Sequence, residues 1–274
     1  YLLARYPERT GAMIEVINSV DDLAYQKWDV LVPTMGALHV GHQSLIEIAK
    51  TKGENVLVSI FVNPLQFENK EDLSNYPKTL EQDIKFAQAA GATAVFIPDE
   101  STIYPGEIER VSAGEIGDLY EGASRPRHFS GVLTVVKRLF DLVKPKAAVF
   151  GEKDFQQLFL IKQMVNQLGL PIEIISAPTI REKNGLAISS RNIRLDKSGE
   201  IISEVVYKTL TQPTIEQMKN EISTEPGFKL DYLEIIDEAT FEKAKPDTQN
   251  KRVIIAGWVN NLRLIDNMPM GIRK

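Results

Sequence analysis

Residues 31–50 read LVPTMGALHVGHQSLIEIAK. A short apolar run, Val30-Leu31-Val32, leads into a turn carrying Gly36 and Gly41, and an apolar-periodic segment follows from about Gly41 to Lys50. This is the signature of a strand, a tight turn and a helix. In an open α/β sheet a turn of this kind lies at the carboxyl end of a strand, where ligands bind. Gly36 permits positive φ or close backbone approach to a ligand, and unpaired N–H groups at a helix start favour an anion. Gly36 and Gly41 have the GxxxxG spacing of a phosphate-binding loop, but His42-Gln43 stands where that motif needs Lys-Ser/Thr. No GxGxxG is present here either. What remains is a nucleotide site in which imidazoles replace the lysine, donating to phosphate oxygens and stabilising charge as pyrophosphate leaves. For one isolated histidine a surface or capping role is the better reading. Two within four residues, His39 and His42, beside two glycines favour function. A metal site is disfavoured, because a pair is too few ligands and the chain's only other histidine is His128.

The same alternation continues outward from this stretch. Val56–Val62 reads as a second strand, apolar on both faces as a central parallel strand should be. Thr79-Leu80-Glu81-Gln82 reads as a capping box opening a helix to about Ala90, stopped by Gly91. Ala94–Ile97, Ala147–Phe150 and Ile172–Ile175 are further strands, and Val132–Val143 and Phe155–Leu168 are helices. Alternating β and α predicts a Rossmann-like, doubly wound parallel sheet. After about Ile180 the pattern changes. One helix, Lys197–Leu210, is followed by strands at Leu230–Ile236, Arg252–Trp258 and Arg263–Ile265, which suits a smaller C-terminal α+β domain. The predicted division is 13–180 and 181–274. Thr211–Phe228, rich in Pro, Thr and Gln, is left without an element, and residues 1–12 are read as an extension ahead of Met13.

Composition narrows the function classes. The 274 residues are 43% hydrophobic and 25% charged, with a net charge of -5. That suits a globular protein with a full core and argues against non-specific nucleic-acid binding. The absence of Cys excludes disulfides, thiolate catalysis and Cys-based zinc sites. No apolar run approaches the ~18 residues of a membrane span; a cytoplasmic location is the expectation, with which the lack of Cys is compatible.

Other polar clusters leave the predicted strand ends. Asn63 and Gln66 follow the second strand; amides suit recognition of a hydroxyl or carboxylate, although taken alone an ordinary Asn-Pro turn is the better reading. Gly151-Glu152-Lys153-Asp154 follows the fourth strand, where Lys153 suits phosphate and Asp154 suits ribose hydroxyls or a helix cap. Ile188-Ser189-Ser190-Arg191 suits a mobile phosphate clamp or a polar linker. Arg125–Phe129 reads as a basic loop. Gln82-Asp83 suits a magnesium-bound water or an exposed helix face, the latter being the stronger reading.

Taken together these segments resemble the pantothenate synthetase (pantoate–β-alanine ligase) family of the HxGH nucleotidylyl-transferase superfamily. The residues that carry the resemblance are PTMGALHVGH (Pro33–His42), FVNPLQF (Phe61–Phe67), YPKTLEQD (Tyr76–Asp83), LYEGASRPRHF (Leu119–Phe129), GEKDFQQL (Gly151–Leu158), ISSRN (Ile188–Asn192) and RLIDN (Arg263–Asn267). HxGH alone marks only the superfamily; the combination is specific. The resemblance implies attack of pantoate's carboxylate on the α-phosphorus of ATP, then attack of β-alanine's amine on the pantoyl adenylate, with Mg2+ neutralising the phosphates. It implies ATP contacts from Met35, Gly36, Ala37, Leu38, His39, Val40, Gly41 and His42. It further implies contacts from Gly151, Glu152, Lys153, Asp154, Ile180, Ile188, Ser189, Ser190 and Arg191. His42, His39, Lys153 and Arg191 would be catalytic; Gln66 and Gln157 would hold pantoate, with Gln66 also near β-alanine and Asn63 in support; Asp83 would bind magnesium directly or through water. A homodimer is implied in the same way. Arg127 stands where many members have glycine, and Ser130 where many have arginine. A transferase joining AMP or CMP to a phosphate-bearing substrate would also explain HxGH, but not Gln66 and Gln157. A non-catalytic nucleotide sensor is disfavoured by the intact His39, His42, Lys153 and Arg191.

Overall fold

A computed structural model describes residues 14–68 and 70–271. The chain divides into two compact units, one running through Phe150 and including Leu160–Ala177, the other comprising Gly151–Phe159 with Pro178 onward. The segment Gly151–Phe159 thus belongs to the second unit, although the sequence pattern placed it with the first.

The first unit is a six-stranded sheet with helices. Its elements are β1 (Glu15–Ile17), α1 (Val20–Ala24), β2 (Val30–Thr34), α2 (Val40–Lys52), β3 (Val56–Ile60), α3 (Lys70–Ser74), α4 (Leu80–Ala90), β4 (Ala94–Phe96), α5 (Glu100–Ile103), α6 (Glu121–Ser124), α7 (His128–Val143), β5 (Ala147–Gly151), α8 (Phe155–Gln167, whose first residues lie in the second unit) and β6 (Glu173–Ala177). The strand order is β1-β4-β3-β2-β5-β6, and β1/β4, β4/β3, β3/β2 and β2/β5 are parallel. The doubly wound expectation is met. The chain winds one way from β2 through β3 to β4, then returns to place β5 on β2's other side, so the order reverses between β2 and β5. In open α/β sheets ligands bind beyond the strand ends at such a reversal.

Burial explains why β2 and β3 read as continuous apolar runs. Val30, Leu31, Val32, Val56, Leu57 and Val58 have no exposed surface, because side chains alternate between two faces that are both covered. Ile46 and Ala49 of α2 and Ala87 and Ala90 of α4 join one apolar cluster with Val30, Val32, Val56, Val58, Val95 and Val149. Strand β1, with two of three residues exposed, was not foreseen because three residues make no legible alternation.

Two local readings are corrected. Thr79 makes no side-chain cap; its hydroxyl donates instead to Asp83 Oδ2 at 3.1 Å. Arg125–Phe129 is not all loop, because α7 starts at His128 rather than Val132, with His128 and Phe129 buried. Arg127, just before it, has left-handed backbone at φ 63°, a conformation that suits glycine.

The second unit holds the antiparallel sheet β7 (Phe228–Asp237), β8 (Lys251–Val259) and β9 (Leu262–Pro269), in that order, with α9 (Lys197–Leu210) as expected. Helix α10 (Ile215–Ser223) occupies part of the unassigned stretch. The Thr214 hydroxyl accepts from Gln217 N, and Met218 and Ile222, four residues apart, bury one face. Val205, Val206, Leu210, Met218, Phe228, Val253, Ile255 and Val259 form this unit's core.

Candidate functional site

The loop after β2 is built by backbone constraint. Gly36 (φ 85°) and Ala37 (φ 52°) are both left-handed, turning the chain out of the strand. Asp83, only 3% exposed on α4, then clasps it: Oδ2 accepts from Ala37 N at 3.0 Å and Oδ1 from Leu38 N at 2.7 Å. A Cβ on Gly36 would lie 3.0 Å from that same Oδ2, so glycine is required for conformation and for space.

The two histidines cap α2 reciprocally. His39 is the N-cap, with extended backbone, and its Nδ1 accepts from Gly41 N at 3.1 Å. His42, three residues on, accepts from His39 N through its own Nδ1 at 3.2 Å. This is a capping box made of imidazoles. A nitrogen that accepts from a backbone N–H carries no proton, so each neutral ring is the Nε2–H tautomer. The rings sit 4.1 Å apart, centroid to centroid. Gly41 is part of the device: a Cβ there would stand 2.8 Å from His39 Cε1 and 3.0 Å from Nδ1. His-x-Gly-His is therefore one structural unit. The capping role weighed against catalysis is real and sets the rings' donor side.

The turn after β3 is held as firmly. Asn63, 1% exposed, accepts from Leu65 N and from the Tyr104 hydroxyl at 2.7 Å, and donates to Gln66 Oε1 and Gly131 O, each at 3.1 Å. Both amide hydrogens and both acceptor positions are occupied, so Asn63 fixes Gln66 rather than reaching past it. Gln66 Nε2 reaches Met35 Sδ at 3.0 Å, linking the two loops. His128 Nδ1 bonds Gln66 O at 3.0 Å while Arg125 NH1 approaches Nε2 at 3.2 Å. Since a carbonyl only accepts and a guanidinium only donates, the neutral Nδ1–H form fits. Burial, then the Glu100 carboxylate, raises the Tyr104 phenol above its ordinary value, so it remains a donor. Tyr104 was missed because it lies in no motif, and the anchoring role of His128 because its stretch, Arg125–Phe129, reads in sequence as a basic loop; only the fold brings them to Asn63 and Gln66.

In the second unit, Lys153 and Asp154 sit on a single 3-10 turn, Glu152–Asp154, between β5 and α8. Lys153 is partly exposed, Asp154 exposed, and Gln157 partly buried. Ile180 O accepts from Ile188 N at 2.9 Å, closing a small loop beside the Arg181–Ala187 bridge. Ser189 and Ser190 are partly exposed and Arg191 is exposed, with Arg191 N donating to Ser189 Oγ. In the first unit His39, His42, Gln66 and the Asp83-held loop are linked by hydrogen bonds or ring contact; in the second, Lys153 and Asp154 share one turn with Gln157 on the helix that follows, and Arg191 belongs to the same unit.

Among the described residues no group of three His, Asp or Glu side chains is gathered for a metal, and no helix is long and apolar enough to cross a membrane. Asp83, the sequence-based candidate, uses Oδ2 for two hydrogen bonds and Oδ1 for one. The second lone pair of Oδ1 is the part of it that fits an ion, and one carboxylate suits magnesium, which takes most of its ligands from phosphate and water.

Comparison with known proteins agrees with this architecture. A family model described as Pantoate-beta-alanine ligase matches residues 11–269. A pantothenate synthetase of Acidothermus cellulolyticus is 47% identical over 255 residues, 87% of this chain and 84% of the relative. One from Bacteroides fragilis is 40% identical, covering 93% of this chain and 98% of the relative. Among solved structures, a pantothenate synthetase from Thermus thermophilus superposes with a TM-score of 0.88 at 39% identity, over 93% of this chain and 99% of that one. A pantoate-beta-alanine ligase from Francisella tularensis, complexed with beta-gamma ATP and beta-alanine, has a TM-score of 0.79 at 38% identity, covering 93% and 97%.

Proposed function

This chain belongs to the pantoate–β-alanine ligase family, and from that premise we propose how its residues divide the family's reaction. The reaction is ATP-dependent condensation of (R)-pantoate with β-alanine. Pantoate's carboxylate attacks the α-phosphorus, the bond to pyrophosphate breaks, and pantoyl adenylate forms. The amine of β-alanine then attacks the acyl carbon, and AMP leaves as pantothenate forms. Activation is needed because a free carboxylate lacks a good leaving group, which AMP supplies.

In this reading the loop Met35–His42 takes the triphosphate of ATP, and His42 and His39 donate through Nε2–H to oxygens on which charge grows as pyrophosphate departs. The reciprocal imidazole cap is the observation that most supports it, since Nδ1 is engaged with backbone in both rings. Gly151 and Asp154 take the ribose, with Glu152 beside them, Lys153 and Arg191 take phosphate oxygens, Ile188, Ser189 and Ser190 close over them, and Ile180 meets the adenine through its backbone. Gln66 and Gln157 hold pantoate; Gln66 also lies near β-alanine, and Asn63 orients it. Asp83 would hold Mg2+ beside the triphosphate, directly or through water, and the ion would supply positive charge to the leaving pyrophosphate. A cytoplasmic homodimer completes the reading. The domain roles are nucleotide and pantoate binding for 13–180, although Gly151–Phe159 falls in the second compact unit, and a lid for 181–274.

Mass spectrometry of the protein mixed with ATP, Mg2+ and pantoate, with and without β-alanine, tests this. The expected result is a pantoyl adenylate peak that converts to pantothenate when β-alanine is added. Pyrophosphate release equally fast with unrelated acceptors would point to a different nucleotidylyl transfer, and ATP binding without AMP formation to a sensor.

A further inference from the structure

Asn267 lies near the end of β9 and is 4% exposed. Its Nδ2 donates to Glu152 O at 2.9 Å and to Lys153 O at 2.8 Å. Its Oδ1 accepts from Arg252 NH1. Its backbone N–H donates to Asp266 Oδ1, and its carbonyl accepts from Arg181 NH2. The amide orientation is dictated by its neighbours, because a guanidinium can only donate and carbonyls can only accept. Arg252, also 4% exposed, is itself fixed. Its Nε donates to Glu238 at 2.7 Å, its NH2 to Glu152 Oε2 at 3.3 Å, and its guanidinium carbon lies 4.0 Å from the centre of the Phe155 ring.

The two carbonyls gripped by one amide have a geometric consequence. They belong to the peptide planes on either side of the Lys153 Cα. Peptide groups are rigid planes, so pinning both fixes the φ and ψ of Lys153 and with them the direction of its Cα–Cβ bond. The second plane also sets the approach to Asp154. Asn267 has no donor left over for a ligand: both amide hydrogens and its backbone N–H are engaged within the protein, and its buried Oδ1 faces Arg252.

We infer that Asn267, oriented by Arg252, is a positioning residue that aims Lys153 and Asp154 at the nucleotide without touching substrate. The inference rests on the reading above in which Lys153 meets phosphate. Asn267→Asp keeps the shape but turns the donor into an acceptor facing two carbonyls, and Asn267→Ser removes the grip with less charge disturbance. Steady-state kinetics of both, of Lys153→Ala and of Asn267→Ser/Lys153→Ala, with thermal melts, decide the matter. The expected result is a loss of about tenfold or more in kcat/KM for ATP in both Asn267 variants, since a displacement of ~1 Å costs ~100-fold in a positioned site. KM for pantoate stays within about twofold, and the double variant loses clearly less than the product of the two single losses, because part of what Asn267 does passes through Lys153. Activity at the unmodified level in Lys153→Ala removes the parent reading and this inference together. If Lys153→Ala is impaired, three results overturn the inference alone: ATP kinetics in Asn267→Ser equal to the unmodified protein, losses that multiply in the double variant, or an Asn267→Ser protein that fails to fold, which makes the residue structural.

Discussion

Replacing Gly41 by Ala separates the histidine device from the stability of the helix it caps. The added Cβ would stand 2.8 Å from His39 Cε1, whereas ordinary contact begins at 3.4 Å, so the ring must retreat by about 0.6 Å. Its Nδ1 is the acceptor for Gly41 N at 3.1 Å, so the same retreat weakens the cap. Stability changes little: alanine gains ~1 kcal/mol over glycine in a helix, and a lost cap costs ~1 kcal/mol. Catalysis does not share that cancellation. If a displacement of ~1 Å costs ~100-fold, then about 0.6 Å at one imidazole, with its neighbour 4.1 Å away obliged to respond, should slow adenylate formation by roughly tenfold to a hundredfold. Single-turnover pyrophosphate release with ATP and pantoate measures this directly, and a circular-dichroism melt gives the stability. Release within about twofold of the unmodified protein would refute the reasoning, because catalysis would then not depend on where the cap holds His39.

Two further outcomes follow from geometry outside the loop. Arg127 is exposed and left-handed at φ 63°; Arg127→Gly relieves ~1–2 kcal/mol of backbone cost against ~0.5–1 kcal/mol of added unfolded-chain entropy, so a urea midpoint higher by up to ~1 kcal/mol equivalent is expected, and a lower midpoint would count against it. Asp29 Oδ1 accepts from Lys146 Nζ at 2.7 Å and Oδ2 from Asn55 N and Glu54 N, which lowers its folded pKa, Lys146 first, below the ordinary 3.8. A depressed acid stabilises the fold above its unfolded value and loses that contribution as pH falls through the folded one. Asp29→Asn should therefore be less stable than the unmodified protein at neutral pH, with the gap narrowing below pH 3.8; a gap that widens in acid would reverse the assignment.

How much of this was legible depended on the range of the interactions involved. The sheet was readable because β2, β3 and β5 are buried on both faces, and uninterrupted valines and alanines are the direct consequence. Helix α9 was readable from its apolar periodicity. Helix α10 was not, because only Met218 and Ile222 are fully buried, Ile215 packs at the core's edge, and its other residues resemble a polar linker. Residues around Thr79 misled for a physical reason: the threonine that spacing assigns to a cap instead supports Asp83, whose burial against the Gly36–Leu38 loop is a contact 45 residues distant.

The amino-acid sequence alone determined the class of fold and the family and marked His39, Gly41 and His42 as one site, because burial pattern and turn chemistry act over a few residues; that the two imidazoles cap one helix reciprocally came from the structure. Only the tertiary structure decided which side chains hold the loops after β2, β3 and β5 in place. Asn63, Tyr104, His128, Asp83 and Asn267 each act through hydrogen bonds between segments far apart in the chain, and no spacing in a linear string records where two such segments meet.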